Sequence, residues 1–273
     1  MSAQREVCWK RSPVRTWAEF HRVVKRPGNE LLGRLDEFGD TILVSGCQRS
    51  GTTALTHALS ETEGAADYVF GRDSELDGAL LLAGCVARFT SGRHCFQTTY
   101  LNDRFAEYLF HDSFRLIWVL REPRSVVYSM LHNWRRAALN RLYDACGNTR
   151  FDSLHHEASS LLDRWMGPSR LDKACASYIA KTEQVFVLHR ELKGRMLVVD
   201  YDELVARPDV TLHHICEFAK VPFDRKLTDH LHGRSSRRGD QLSSWQAARV
   251  DDACTAVYRA ALTMRPRWRF RDA

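Results

Sequence analysis

The hydrophobic positions of this chain form short continuous runs that alternate with stretches of helical periodicity. Three runs, at 41–46, 115–120 and 196–200, have the length expected of strands that are buried on both faces. Weaker runs at 67–70 and 94–98 are further candidate strands. Strands that alternate with helices predict a three-layer α/β domain, in which helices flank a central parallel sheet through right-handed crossovers.

The helical stretches lie between these runs. Residues 1–38 predict an amphipathic lead-in that is broken at Pro27 and Gly28. Further helices are predicted at 52–61, 76–86, 102–110, 124–138, 156–166 and 171–192, and the last third of the chain is predicted to be helical apart from a loop around 233–245. The sequence contains no internal repeat, low-complexity tract or linker, which favours a single domain over residues 1–273.

Composition narrows the classes of function. The chain has 273 residues and 44% hydrophobic content, enough for one large domain with a full core. Its net charge of +6 comes without a long Lys/Arg block, so we expect small anionic ligands rather than nucleic acid. Eight cysteines include no CxxC pair and no histidine cluster has zinc spacing, which disfavours a disulfide framework or a metal site. Without a signal-peptide pattern or an 18-residue apolar run, we expect a cytoplasmic protein with no stable membrane insertion.

The segment 41–55, read as TILVSGCQRSGTTAL, predicts a phosphate-binding turn. An apolar β-branched strand ends at Gly46, the turn closes at Gly51, and a helical pattern begins at Thr52. Backbone N–H groups converge on an anion in such a turn, and the helix dipole favours negative charge there. The spacing nearly matches the nucleotide-binding pattern G-x-x-x-x-G-K-[ST], but Thr52 replaces the lysine and Arg49 is the one cation of the turn. An ordinary strand-to-helix turn is the alternative.

A second anion-binding pattern follows the strand predicted at 115–120. Arg121 stands at its carboxyl end, the edge of a parallel sheet where ligands bind. Pro123 suits the first turn of a helix, and Ser129 follows in the second turn. A kinase needs a carboxylate at such a strand end to hold Mg²⁺, whereas Arg121 suits a second phosphate group on the nucleotide itself. A surface charge is the alternative for Arg121, and Glu122 is interpreted as a carboxylate at the helix N-terminus.

Both segments resemble motifs of the sulfotransferase family that uses 3′-phosphoadenosine 5′-phosphosulfate (PAPS) as donor and releases 3′,5′-adenosine bisphosphate (PAP). The turn resembles the loop PKSGTT or PRSGTT, and the second segment resembles R-[DN]-P-x-x-x-x-x-S with Glu122 at the Asp or Asn position. The resemblance implies a P-loop-like sulfotransferase fold and in-line transfer that needs no metal. It also implies one set of residues around the 5′-phosphate and a pair at the 3′-phosphate: Gln48, Arg49, Ser50, Gly51, Thr52 and Thr53 for the first, Arg121 and Ser129 for the second.

Two weaker resemblances lie downstream. Tyr201 follows the strand MLVVD, as in the family segment whose tyrosine reaches the adenine. Arg237, Arg238 and Gly239 resemble a late loop that closes over the 3′-phosphate, with a solvated basic loop as the alternative. The resemblance spans about 40–240, which we interpret as a nucleotide-binding core between the lead-in and a C-terminal helix and tail at 246–273.

The general base that takes the acceptor's proton is predicted less sharply. Family members use a histidine or a glutamate, and the resemblance offers Asp73, Glu75 and His94, of which we favour either carboxylate. A helix cap near Leu76 is the alternative role for Asp73. Two departures from the family pattern affect this region: Gln97 replaces a lysine, and Ala54 stands where many members have a tryptophan that packs on the adenine. Arg49 is our candidate for the cation at the leaving oxygen.

Three functions remain open from the sequence. The leading hypothesis is PAPS-dependent sulfuryl transfer to a hydroxyl or amine of a small-molecule, carbohydrate or similar acceptor. A small-molecule or nucleotide kinase and a non-catalytic nucleotide-binding protein are the alternatives. The sequence does not identify the acceptor, and it leaves open whether the region 140–170 forms a substrate lid or a homodimer contact.

Overall fold

The computed structural model of the protein describes residues 14–68, 73–86, 92–150, 167–231 and 238–266. Its centre is a sheet of four parallel strands in the order β2-β1-β3-β4. The strands are β1 (Thr41–Gly46), β2 (Cys95–Gln97), β3 (Phe114–Leu120) and β4 (Met196–Asp200). Every residue of β1 is buried, as its continuous apolar run predicts for a central strand covered on both faces. The predicted α/β class with a parallel sheet is confirmed.

Nine α-helices lie in the described part of the chain. They are α1 (Trp17–Val23), α2 (Thr52–Ser60), α3 (Ser74–Leu82), α4 (Pro123–His132), α5 (Arg136–Leu142), α6 (Arg170–Leu192), α7 (Tyr201–Ala206), α8 (Pro208–Ala219) and α9 (Ser244–Leu262). Most begin at a capping side chain, which satisfies the N–H groups that a helix leaves unpaired. Ser169 and Asp172, for example, form a capping box at the start of α6.

The two faces of the sheet divide the core into layers. Alternate strand residues point to opposite faces, so Ile42, Val44 and Val119 pack on α2 and α8, whereas Leu43 and Trp118 pack on α3 and the second half of α6. A third apolar cluster joins α4, α5, α9 and the first half of α6. Sequence-distant helices therefore surround the carboxyl ends of the strands, where the turn after β1 and Arg121 lie.

Several predicted elements differ from the structure. No strand forms at Asp67 and Tyr68; a single parallel bridge joins Ala65 to Arg93 instead. The apolar signal at Tyr68 reflects core packing, since its ring is buried and its hydroxyl donates to the Cys95 carbonyl. Valine and phenylalanine at 69–70 and the predicted helix at 156–166 lie outside the described residues.

The predicted helical boundaries also shift. The segment predicted as a helix at 102–110 is a 3₁₀ helix over Phe105–Phe110, and the one predicted at 124–138 is divided into α4 and α5. None of the helices in the described ranges combines the length and the hydropathy that crossing a bilayer requires.

Candidate active site

The turn after β1 takes the shape that its two glycines permit. Gly46 has φ +148°, and a Cβ there would lie 2.4 Å from the Val119 carbonyl oxygen on the neighbouring strand. Gly51 has φ +93°, and a Cβ there would lie 2.2 Å from the ring of Tyr201. Arg49 adopts φ +74°, a left-handed conformation that costs a residue with a side chain about 1–2 kcal/mol. In this conformation the loop lies tightly against β3 and Tyr201.

This turn leaves hydrogen-bond donors without protein partners. Helix α2 begins at Thr52 directly after the turn, and no side chain caps it. Its first N–H groups therefore point out of the helix end, where they and the helix dipole attract anions. The Ser50 hydroxyl is buried, and it has no hydrogen-bond partner among the described residues. These features fit a phosphate or sulfate group in the turn.

Three guanidinium groups converge beside the turn. Arg49 Nε donates to Ser129 Oγ at 2.9 Å, and Arg121 Nη1 donates to the Arg49 carbonyl oxygen at 3.2 Å. Arg121 also stacks over the ring of Tyr201, 4.9 Å from its centroid. Burial lowers the pKa of Arg49, and the nearby charges of Arg121 and Arg238 lower it further. The positive charges of these guanidinium groups repel one another, and a bound polyanion would relieve that repulsion.

The late basic loop contributes the third of these cations. The 3₁₀ turn Arg238–Gln241 packs on the start of α4, where a Cβ at Gly239 would lie 2.7 Å from Arg124 Cβ and 3.0 Å from Ser125 N. Gly239 therefore permits the close approach that brings Arg238 to the wall of the site. Arg237, which the sequence also placed here, lies outside the described residues.

Glu122 is a helix cap, as the sequence predicted. Its carboxylate accepts from the N–H groups of Arg124 at 2.9 Å and Ser125 at 2.7 Å. Pro123 occupies the first helical position of α4, and Ser125 and Ser129 are both buried along the same side of the site. Ser125 was not singled out from the sequence; its spacing of four residues from Ser129, one helical turn, was the available signal.

These groups line a cavity of about 310 Å³ at the carboxyl ends of the strands. Positive charge occupies one end, and Glu75 reaches the cavity from α3. The lining residues are Gln48, Arg49, Gly51, Thr52, Thr53, Ala54, Glu75, Gln97, Thr99, Arg121, Ser125, Ser129, Trp134, Tyr201 and Arg238. A second cavity of about 200 Å³ adjoins it and shares Gln48, Glu75, Thr99 and Trp134.

Glu75 lies where the two cavities meet and is held by two donors. Gln97 Nε2 donates to Glu75 Oε2 at 2.8 Å, and the Thr99 hydroxyl donates to Oε1. Gln97 Nε2 also lies 3.2 Å from the hydroxyl of Thr52, so it connects the carboxylate to the start of α2. Burial raises the pKa of Glu75 to about 7, with a smaller raising effect of Asp73 opposed by Thr99 and Lys181. A carboxylate with this pKa can accept a proton near neutral pH.

The other two candidate bases are placed elsewhere. Asp73 is exposed and caps α3, its Oδ1 accepting from Leu76 N at 2.8 Å, which was the alternative role considered for it. His94 precedes β2 and therefore lies at the amino edge of the sheet, opposite to the cavity, where it packs on Phe38 and Phe96. Burial lowers the pKa of His94. The inclusion of His94 among the candidate bases is thus corrected: it is a core residue.

Sequence reasoning missed Lys181, which is only 1% exposed beneath the site. Its Nζ donates to the Thr99 carbonyl oxygen at 3.2 Å and lies 5.6 Å from the ring centroid of Trp118. Burial lowers the pKa of Lys181 to about 8. The signal was a lysine at a core position of α6, three residues after Tyr178 and four before Val185, both fully buried.

Comparison with known proteins gives the following relationships. A family model described as "Sulfotransferase domain" matches residues 39–241. No curated protein sequence is a detectable match to the chain. Among solved structures, the fold is similar to a sulfotransferase domain from the curacin biosynthetic pathway, with 14% identity and a TM-score of 0.46 over 85% of this chain and 93% of that one.

Two further structures show similar distant likeness. Mouse sulfotransferase SULT7A1, solved in complex with PAP, has 14% identity and a TM-score of 0.46 over 87% of this chain and 92% of its own. The sulfotransferase domain of the Synechococcus PCC 7002 olefin synthase has 15% identity and a TM-score of 0.45 over 82% of this chain and 93% of its own. At such low identity and score, the family assignment comes from the family model.

Proposed function

The chain belongs to the sulfotransferase domain family, and we propose that it moves a sulfuryl group from PAPS to a hydroxyl or amine of a small-molecule acceptor. The observation that carries the proposal is the convergence of Arg49, Arg121 and Arg238 on a cavity that also contains Glu75. The three cations suit a donor that has phosphate groups at both the 3′ and the 5′ position of its ribose. The base beside them suits an acceptor that must lose a proton.

The residues present fit a bisphosphorylated nucleotide. The uncapped start of α2 and the buried Ser50 hydroxyl would hold the 5′-phosphate, together with the hydroxyls of Thr52 and Thr53. Arg121, Ser129 and Arg238 would hold the 3′-phosphate. The predicted contact between Tyr201 and the adenine remains part of the proposal, supported by the position of Tyr201 in the cavity wall beside Gly51.

We assign Glu75 to the proton of the acceptor and Arg49 to the negative charge that develops on the leaving oxygen. The bound donor supplies the sulfuryl group, and its 5′-phosphate is the leaving group. Glu75 accepts the proton of the acceptor's hydroxyl or amine as the new bond to sulfur forms. The bond between sulfur and the bridging oxygen breaks, and its electron pair stays on that oxygen, where Arg49 stabilises the growing negative charge. Ser129 holds the Arg49 side chain for this task through the 2.9 Å hydrogen bond.

The kinase hypothesis has less support from the same region. Of the carboxylates at and just after the end of β4, Asp202 accepts from the Glu122 N–H at 3.1 Å, and Asp200 and Glu203 pair with Arg265. Its Nη1 lies 2.6 Å from Glu203 and 3.3 Å from Asp200. Arg121, at the end of β3, stands where a kinase would hold its metal.

A thermal-shift titration with PAP, AMP and ATP–Mg²⁺ tests the proposal. A ligand at ~100 times its dissociation constant adds about 2.7 kcal/mol to the free energy of unfolding. We expect PAP to raise the melting temperature at concentrations where AMP and ATP–Mg²⁺ do not. Stabilisation by ATP–Mg²⁺ in preference to PAP would refute the donor assignment and favour a kinase.

A pair of variants on one strand sharpens this test. Arg121→Gln removes the proposed contact to the 3′-phosphate, which should weaken PAP binding about 10- to 100-fold and leave AMP binding unchanged. Arg115→Gln is the matched control, because Arg115 lies at the opposite end of β3 and pairs with Asp40. Equal effects of the two substitutions would remove Arg121 from the donor site.

A further inference from the structure

The second cavity lies between one face of α1 and one face of α5. Trp17 and His21 are four residues apart on α1, and Ala138 and Arg141 are three apart on α5, so each pair shares a helix face. Thr99, Tyr100 and Asn102 complete the lining from the segment after β2, together with Leu142. Because Glu75 also lines this cavity, a molecule that occupies it places a group next to the base.

Arg141 is an exposed residue of α5 that lines this cavity and gives it a positive charge. Among the described residues it has no hydrogen-bond or ion-pair partner, whereas the neighbouring Lys25 pairs with Asp103 at 2.5 Å and donates to the Tyr100 carbonyl oxygen at 2.9 Å. Burial lowers the pKa of His21 to about 4, with the charges of Lys25 and Arg141 acting in the same direction and Asp103 opposing them. His21 is therefore neutral at physiological pH, and Arg141 carries the charge of this wall.

A buried hydroxyl in the same wall also lacks a partner. Tyr100 is 4% exposed, and its Oη has no hydrogen-bond partner among the described residues. Burial raises the pKa of Tyr100 above its ordinary value of 10.0, so the hydroxyl stays protonated and can donate. A buried donor without a partner costs about 1–3 kcal/mol, which a ligand oxygen in the cavity can recover.

The size and walls of the cavity limit the ligand. Its volume of about 200 Å³ is below the ~300–1,000 Å³ of pockets for drug-sized molecules, so a single ring with a short substituent fills it. The apolar walls are the rings of Trp17, Tyr100 and Trp134, and Trp17 and Tyr100 are in contact with centroids 5.8 Å apart. Aromatic walls favour a planar apolar ligand.

We propose that the acceptor is a single-ring hydroxyaryl compound that also carries a carboxylate. The ring occupies the space between α1 and α5, the hydroxyl meets Glu75, and the carboxylate pairs with Arg141. Tyr100 and the neutral His21 are additional hydrogen-bonding partners for the carboxylate or for the ring substituents. The inference rests on the proposed function, since it identifies the substrate class of the same site.

A matched acceptor series tests the charge preference. The series comprises hydroxyphenyl acids with zero to three methylenes before the carboxylate, the corresponding neutral amides, and tyramine as the cationic counterpart. We expect kcat/KM with PAPS to be about 10- to 100-fold higher for the best acid than for its amide, because a hydrogen-bonded charge pair is lost in the amide. Tyramine should be the poorest acceptor. Binding of the same compounds to the PAP complex, measured by thermal shift, gives a readout independent of turnover.

Arg141→Gln should lower kcat/KM for the acid about 10- to 100-fold more than for its amide, so that the preference for the acid is lost. Arg136→Gln is the control, since Arg136 is exposed at the start of α5 and does not line the cavity. Equal losses for acid and amide in Arg141→Gln, or a wild-type preference for tyramine, would overturn the inference.

Different results would refute the proposed acceptor class and the proposed function. If PAP stabilises the protein but no acid of the series binds or reacts better than its amide, the acceptor class is wrong and the donor assignment of the proposed function stands. If PAP does not stabilise the protein, the proposed function itself fails.

Discussion

Replacing Glu75 by glutamine should slow transfer and at the same time stabilise the protein above neutral pH. The pKa of Glu75 rises from 4.5 to about 7 through burial. Between these pH values the unfolded chain has lost the proton that the native state keeps, so the free energy of unfolding falls as pH rises. Each pH unit costs about 1.4 kcal/mol, which gives at most ~3 kcal/mol once the pH is above 7.

Glutamine removes this ionisation cost and nearly keeps the shape of the side chain. Its amide can still accept from Thr99, and the Gln97 Oε1 atom, which has no partner among the described residues, can accept the new N–H. The stability of Glu75→Gln relative to wild type should therefore grow by up to about 3 kcal/mol between pH 5 and pH 8. Turnover should fall about 10²- to 10⁴-fold because the base is lost.

Urea unfolding at pH 5 and pH 8, with the pH profile of kcat/KM, measures both effects. Wild-type kcat/KM should decline as the pH falls through about 7, because the protonated carboxyl cannot accept the acceptor's proton. Asp73→Asn is the matched control: it removes a carboxylate two residues away while asparagine still caps α3. The reasoning is refuted if the stability difference for Glu75→Gln does not grow with pH, or if Asp73→Asn loses more activity than Glu75→Gln.

Three further substitutions give separate expectations. Arg49→Ala should lower turnover about 10²- to 10³-fold, because the charge at the leaving oxygen is lost, and should largely spare PAP binding in a thermal shift; turnover close to wild type would exclude Arg49 from the mechanism. Gly51→Ala should lose at least ~1–3 kcal/mol in urea unfolding and lose PAP binding, since φ is +93° and the new Cβ would overlap the Tyr201 ring; a stable, PAP-binding variant would contradict this. Lys181→Met should not destabilise the protein at pH 7, because a buried lysine whose pKa is lowered from 10.5 to about 8 is costly while it is charged. The midpoint of the pH profile of kcat/KM should move upward in that variant, since the charge of Lys181 lowers the pKa of Glu75, and an unchanged midpoint would show that the two groups are not coupled.

The sequence was most informative where one local interaction decides the conformation. β1, β3 and β4 could be predicted because a continuous apolar run has few alternatives to a buried strand, and the start of α4 could be predicted from Pro123 and Glu122. These local patterns also contain residues that we propose bind the phosphates of the donor. The end of the cavity where Arg49 and Arg121 lie was therefore largely predictable.

The acceptor end depends on contacts between distant segments, which no local pattern specifies. Glu75 and Asp73 are two residues apart in sequence, and only the way α3 packs on β2 separates a half-buried carboxylate from an exposed cap. Lys181 comes from α6, more than 80 residues after the Thr99 carbonyl that it contacts. His94 could have been excluded, since a residue that precedes a parallel strand lies at the edge opposite the ligand site.

Helix α1 has an evolutionary consequence, because Trp17 and His21 precede residue 39, where the match to the family model begins. The described groups that we propose bind the donor all lie within the matched region, and so does Arg141. One wall of the second cavity is thus supplied by residues outside the region that the family model matches. We expect that exchanging helix α1 between homologues would change the acceptor preference while the proposed donor site stays the same.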